Sequence, residues 1–183
     1  CINSEFSVNE IANLSSSIND GIIELISATH GEKIENLLKQ IDQYDFFHLG
    51  CHFEEEDNSS NSRKGYLDFG SYGTLNLTQI ENIPNLEGKL FFLNGCRTGK
   101  ANIKLKVDFS STLIKRKKVG TVVSTDSVIS ENFASNFGGL FWSHLFNCEF
   151  HFDEALYKAK MEYSRKNNFG GFLYSIYGKN RLN

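Results

Sequence analysis

Two apolar runs of the same build constrain this 183-residue chain more than any other feature. Phe46-Phe47-His48-Leu49-Gly50-Cys51-His52 and Phe91-Phe92-Leu93-Asn94-Gly95-Cys96-Arg97-Thr98-Gly99 each pass from large apolar side chains to a glycine and then a cysteine. Unbroken apolar runs, as opposed to alternating ones, are what strands covered on both faces require. The turn residues follow at the carboxyl ends, where open α/β sheets form their crevices. The first run delivers His52 to that edge and the second delivers Cys96.

The rest of the chain supplies elements to cover such strands. Ile34, Leu37, Leu38 and Ile41 share a helical face, and Ile22-Ile23-Glu24-Leu25-Ile26 reads as a short strand or helix before Gly31. Glu54 to Ser62 is a polar stretch expected to form a loop, and Gly65 to Leu77, broken by Gly70 and Gly73, a β-hairpin. Thr78-Gln79-Ile80-Glu81 has the pattern of a capping box opening a helix that stops before Pro84. Strands are expected over 89–94, 119–124 and 172–177. Ser130 and Asp153 are expected to cap two helices, with Phe133, Phe137, Leu140, Phe141 and Leu145 inward on the first and Ala155, Leu156, Ala159 and Tyr163 on the second. Strands alternating with helices predict an α/β fold with a mostly parallel central sheet flanked by helices.

The length suits one domain, expected over 21–183, with 1–20 as a linker remnant or N-terminal extension. The chain opens on Cys1 without an initiator Met, so a segment of a longer or processed protein is expected. A net charge of −3 gives no general electrostatic case for nucleic acid, and Lys115-Arg116-Lys117-Lys118 reads as a solvated loop or strand entry. The four cysteines show no CxxC pairing, which argues against a zinc site or a disulfide framework and fits a reducing cytoplasm. His144 and His151, near Cys148 and Glu149, have an irregular spacing for a metal, so neither metal nor cofactor is expected. No apolar stretch reaches the roughly 18 residues of a membrane span.

Histidine and cysteine at the ends of neighbouring parallel strands make a thiol–imidazole pair, the minimum apparatus of a cysteine protease. The thiolate attacks a carbonyl, the imidazole carries the proton, and backbone N–H groups receive the oxyanion. Gly95 and Gly99 let the chain turn sharply around the sulfur. Taken alone, Cys96 also reads as a buried strand-end cysteine, a common place for a free thiol. His48, four residues before His52, is expected on the same strand and the same side, either as an orienting group for the site or as a core histidine.

The residues His48-Leu49-Gly50-Cys51-His52 and Leu93-Asn94-Gly95-Cys96-Arg97-Thr98-Gly99 resemble the two strand ends of CHAT domains, caspase- and separase-like cysteine peptidases. Lys118-Val119-Gly120-Thr121-Val122-Val123-Ser124 is similar to their third strand, Glu154-Ala155-Leu156-Tyr157-Lys158-Ala159-Lys160 to a later helix, and Tyr177-Gly178 to the end of the closing strand. The resemblance implies a caspase-like three-layer sandwich, Cys96 as nucleophile, His52 as proton-transfer partner, and backbone N–H groups near Phe53 and Gly95 at the oxyanion. It implies that Asp126, in the loop after the third strand, recognises a basic P1 side chain; Val123 and Phe133 are apolar alternatives for lining that pocket. It further implies a regulated prokaryotic endopeptidase acting on a protein substrate, with a regulatory domain or partner upstream, in defence or programmed death. The family usually has glycine where Phe53 stands, and a left-handed backbone there would cost a phenylalanine about 1–3 kcal/mol. An inactive, partner-binding CHAT-like module is therefore the competing expectation. A flavodoxin-like ligand-binding domain is weaker, for want of a glycine-rich phosphate loop.

Overall fold

The structure is a computed structural model that describes residues 12–14, 34–39, 43–56, 64–84, 86–95, 109–148 and 151–178. The expected element at 22–26, Ile41, most of the 1–20 segment and Cys96 lie outside the described residues. Four strands make the central sheet: β1 (Phe46–Gly50), β5 (Leu90–Asn94), β6 (Thr121–Thr125) and β7 (Tyr174–Gly178), in the order β1-β5-β6-β7. The pairs β1–β5 and β5–β6 are parallel, and β7 runs antiparallel on β6. A second, antiparallel sheet holds β2 (His52–Glu56), β3 (Lys64–Asp68) and β4 (Thr74–Asn76).

The inner strands β5 and β6 are buried throughout, β5 as its unbroken apolar sequence requires, whereas the edge strands β1 and β7 are buried only in part. Successive residues of β5 point to opposite sides of the sheet. Leu90 and Phe92 join one core with Val123, Phe137, Phe141, Phe152 and Tyr174; Phe91 and Leu93 join another with Leu49, Phe109, Leu113 and Val122. Helices α4 (Glu131–Asn147) and α5 (Phe152–Arg165) cover the first face. Helices α1 (Ile34–Leu38), α2 (Leu77–Asn82) and α3 (Phe109–Lys115) cover the second, together with residues of the small sheet such as Leu67 and Leu75. The molecule is therefore an α/β layered fold with a mostly parallel sheet between helices, compatible with a caspase-like sandwich.

Gly138 brings α4 close to the sheet: a Cβ there would sit 3.1 Å from both Asn94 Nδ2 and His48 Cε1. Ahead of the sheet, Leu14 is buried against the α4–α5 core, and Asn13 Nδ2 donates to Ser135 Oγ at 3.1 Å. The chain around residues 12–14 is thus packed into the fold and is no mere linker there.

Several local expectations are corrected. Glu54, Glu55 and Glu56, expected in a polar loop, belong to β2, where they pair with Tyr66, Gly65 and Lys64; the rest of that stretch lies outside the described residues. The capping box of α2 is made by Asn76 and Gln79, not Thr78 and Glu81: Asn76 Oδ1 accepts from the Gln79 N–H, and the Asn76 N–H donates back to Gln79 Oε1. His151, not Asp153, occupies the N-cap of α5, with Asp153 in the first turn, where a negative charge suits the helix dipole. Ser130 does cap α4, its Oγ accepting from the Phe133 N–H. The closing segment begins as a 3₁₀ turn (Gly170–Leu173), leaving Phe172 exposed, before β7 starts at Tyr174. The basic run finishes α3 and turns toward β6, with Arg116 paired to Glu81.

Candidate active site

The two motif-bearing strands lie side by side. Their register is Phe46↔Leu90 through Gly50↔Asn94, so both leave the sheet at one edge. Beyond the last pair, the Cys51 N–H donates to the Asn94 carbonyl at 3.3 Å, tying the residue before His52 to the strand that leads to Cys96. Cys51 itself is fully buried, a core residue beneath this edge.

Asn94 holds that strand end in place. It is fully buried; its Oδ1 accepts from Tyr174 Oη at 2.5 Å and its Nδ2 donates to the Ala134 carbonyl at 3.0 Å. One side chain so links β5 to β7 and α4. Sequence inspection treated Asn94 only as part of the motif and missed this role, because both partners come from later elements. Gly95 follows as a buried bend.

His52 opens β2 and therefore belongs to the small sheet, whereas His48 belongs to β1. The expectation that the two histidines share one strand does not hold: the chain breaks its pairing at Cys51 and changes sheet. His48 stacks on Phe92, with ring centroids 5.2 Å apart, and its Nδ1 accepts from Trp142 Nε1 at 2.7 Å. It is built into the packing between β1 and α4, the core-histidine alternative. His52 is more open, with 28% of its side chain exposed, and its Nε2 lies 3.8 Å from Glu131 Oε1 at the start of α4. Glu131 did not stand out in the sequence, since an acidic residue in a first helical turn is commonplace.

Phe53 adopts strand geometry; among the described residues, the non-glycine positions with positive φ are Lys118 and Asn167. The strain that a left-handed phenylalanine would carry is therefore absent. Its ring meets Phe109 edge-on at 6.1 Å between centroids and lies over Gly65, where a Cβ would come within 2.7 Å of it. Asp126 follows β6 and is exposed, its Oδ1 accepting from Tyr177 Oη at 2.8 Å. Val123 is sealed in the core and cannot line a surface pocket, while Phe133 is half-buried against Phe137 and Tyr163.

The other histidines sit apart from this edge. His144 Nε2 lies 3.4 Å from Glu162 Oε2, linking α4 to α5. No group of three His, Cys, Asp or Glu among the described residues is arranged to hold a metal ion. No described helix is long and apolar enough to cross a membrane. Compared with known proteins, the chain matches no protein-family model and shows no significant similarity to a curated protein.

Proposed function

We propose that the chain is a CHAT-like cysteine endopeptidase in which Cys96 is the nucleophile and His52 its proton-transfer partner. The observation that carries this reading is the register of β1 on β5, closed by the bond from the Cys51 N–H to the Asn94 carbonyl. His52 follows the donor directly, and Cys96 follows the acceptor by two residues, a length of chain that spans at most about 7 Å. The thiol would pass its proton to the imidazole and the sulfur attack the scissile carbonyl; the C–N bond would break as the imidazolium protonates the leaving amine, giving a thioester, and water, losing a proton to the imidazole, would then displace the sulfur, which regains that proton. Backbone N–H groups near Phe53 and Gly95 are the candidates for the oxyanion. Asp126 is the candidate for a basic P1 side chain, since a carboxylate pairs best with the planar fork of arginine. A cytoplasmic effector domain with an upstream regulator and a single protein substrate, in prokaryotic defence or programmed death, is the wider setting the sequence resemblance suggests.

The test is covalent labelling with peptidyl acyloxymethyl ketones varied at P1. Labelling should require both Cys96 and His52, so that Cys96→Ala abolishes it and His52→Ala lowers it at least a hundredfold, because the two act as a unit. An arginine preference that disappears in Asp126→Ala supports the pocket assignment; an unchanged preference for apolar P1 residues removes it. Labelling that survives Cys96→Ala removes the peptidase reading.

A further inference from the structure

We propose that Cys148 and Lys158 form a redox site, in which oxidation of the thiol by hydrogen peroxide joins its sulfur to the lysine nitrogen as a sulfenamide. The inference is independent of the peptidase reading, since neither residue belongs to the candidate active site. Lys158 Nζ donates to Cys148 Sγ at 3.2 Å, and Glu154 Oε1 pairs with the same ammonium at 2.8 Å. The thiol is free, and the three groups form one cluster where the end of α4 meets the first half of α5.

The two partners are held in opposite ways. Cys148 is buried and its backbone is fixed: its N–H donates to the His144 carbonyl at 2.9 Å, and its carbonyl accepts from the His151 N–H at 3.0 Å. Lys158 keeps 44% of its side chain exposed, so its flexible four-carbon stem can carry the nitrogen onto the sulfur without moving either helix. An oxidised thiol condenses with whichever thiol or nitrogen reaches it. Here the amine is already in contact, and Glu154, one turn before it, keeps it on that side of the helix.

The step balances with one peroxide. The sulfur attacks the peroxide, the O–O bond breaks and an S–O bond forms, giving a sulfenic acid and water. The lysine nitrogen, having lost a proton to solvent, then attacks the sulfur. The S–N bond forms as the S–O bond breaks, and the hydroxyl leaves as water with a second proton from nitrogen. Sulfur is oxidised by two electrons and the peroxide is reduced to two waters. A small thiol reverses the linkage by attacking the sulfur and releasing the amine. Glu154 first, and Cys148 with it, hold Lys158 protonated above its ordinary 10.5, so the attacking amine is the minor form and mildly alkaline buffer favours the bridge.

The experiment treats the full chain with hydrogen peroxide in such a buffer and maps tryptic peptides by mass spectrometry without reduction. No Lys or Arg lies between Lys118 and Lys158, so the unmodified peptide runs from Val119 to Lys158. A bridged chain should resist cleavage after Lys158, giving a peptide from Val119 to Lys160 that is lighter by two hydrogens, and dithiothreitol should restore the ordinary product. Cys148→Ser should abolish the bridged peptide. Lys158→Arg should abolish it too and raise sulfinic acid at Cys148 at least fivefold, because nothing then captures the sulfenic acid. Circular dichroism checks that Lys158→Arg stays folded; should it unfold, Lys158→Ala carries the same expectation. A Cys148 that survives peroxide as the thiol, that forms a disulfide instead, or that reaches sulfinic acid as readily in the wild type as in Lys158→Arg overturns the proposal.

Discussion

Asn94 shows how much a single buried amide can do at the end of a strand. With Tyr174 Oη on its oxygen and the Ala134 carbonyl on its nitrogen, it pins β5 where the chain is about to leave the sheet. Removing a donor from a buried acceptor costs the acceptor's desolvation as well as the bond. Tyr174→Phe should therefore lower stability by about 1–3 kcal/mol, read as a lower urea midpoint at unchanged slope; an unchanged midpoint would show that the phenol contributes only packing. The types of the flanking residues were legible in the sequence, since a run such as Phe91 to Asn94 can hardly be anything but a covered strand. The partners were not. They lie 40 and 80 residues away, and no local pattern marks a buried asparagine for a distant tyrosine. The same holds for His48, whose engagement by Trp142 is a contact across 94 positions.

Among the elements, α5 is tied to its surroundings by charge at its last turn. Glu162 accepts from Lys166 Nζ at 3.1 Å and faces His144 of α4 at 3.4 Å. These neighbours, Lys166 first, hold its carboxyl below the ordinary value of 4.5. A carboxyl whose pKa is lower folded than unfolded stabilises the fold above the unfolded pKa and loses that contribution as pH falls through the folded one. Glu162→Gln should thus cost on the order of 0.5 kcal/mol near neutral pH, with the two proteins converging well below pH 4.5, as unfolding curves across pH would record. A difference that persisted into acid would mean that shape, not charge, is at stake. Helices α4 and α5 were readable because their apolar residues recur at helical spacing. By contrast, α3 was hidden: Ser110 and Thr112 are polar yet buried, Ser110 sharing a 3.0 Å hydrogen bond with Ser124 of β6. The strand character of Glu54 to Glu56 was hidden likewise, since it depends on pairing with β3 and not on the residues themselves.

For the molecule as a whole, the class of fold followed from the two apolar runs and the helices that alternate with the strands, whereas the reversed direction of β7 had no signature in its sequence. His52 of β2 and Glu131 at the start of α4 lie 3.8 Å apart, so their approach depends on the assembled molecule. The two sheets differ in how their strands are joined. β2, β3 and β4 follow one another along the chain, while each pairing of the central sheet joins strands separated by at least one helix. Loops that close over short stretches of chain lose less entropy and close sooner. In pulsed hydrogen exchange during refolding, amides of β2–β4 should gain protection before those of β6 and β7; simultaneous protection would argue for a single concerted step. On that expected order His52 rides on the sheet that closes first, and Glu131 on a helix that docks after the long-range pairings. A chain still being folded would present His52 before α4 arrives beside it, so a peptidase of the proposed kind would stay idle until the last strands have found their places.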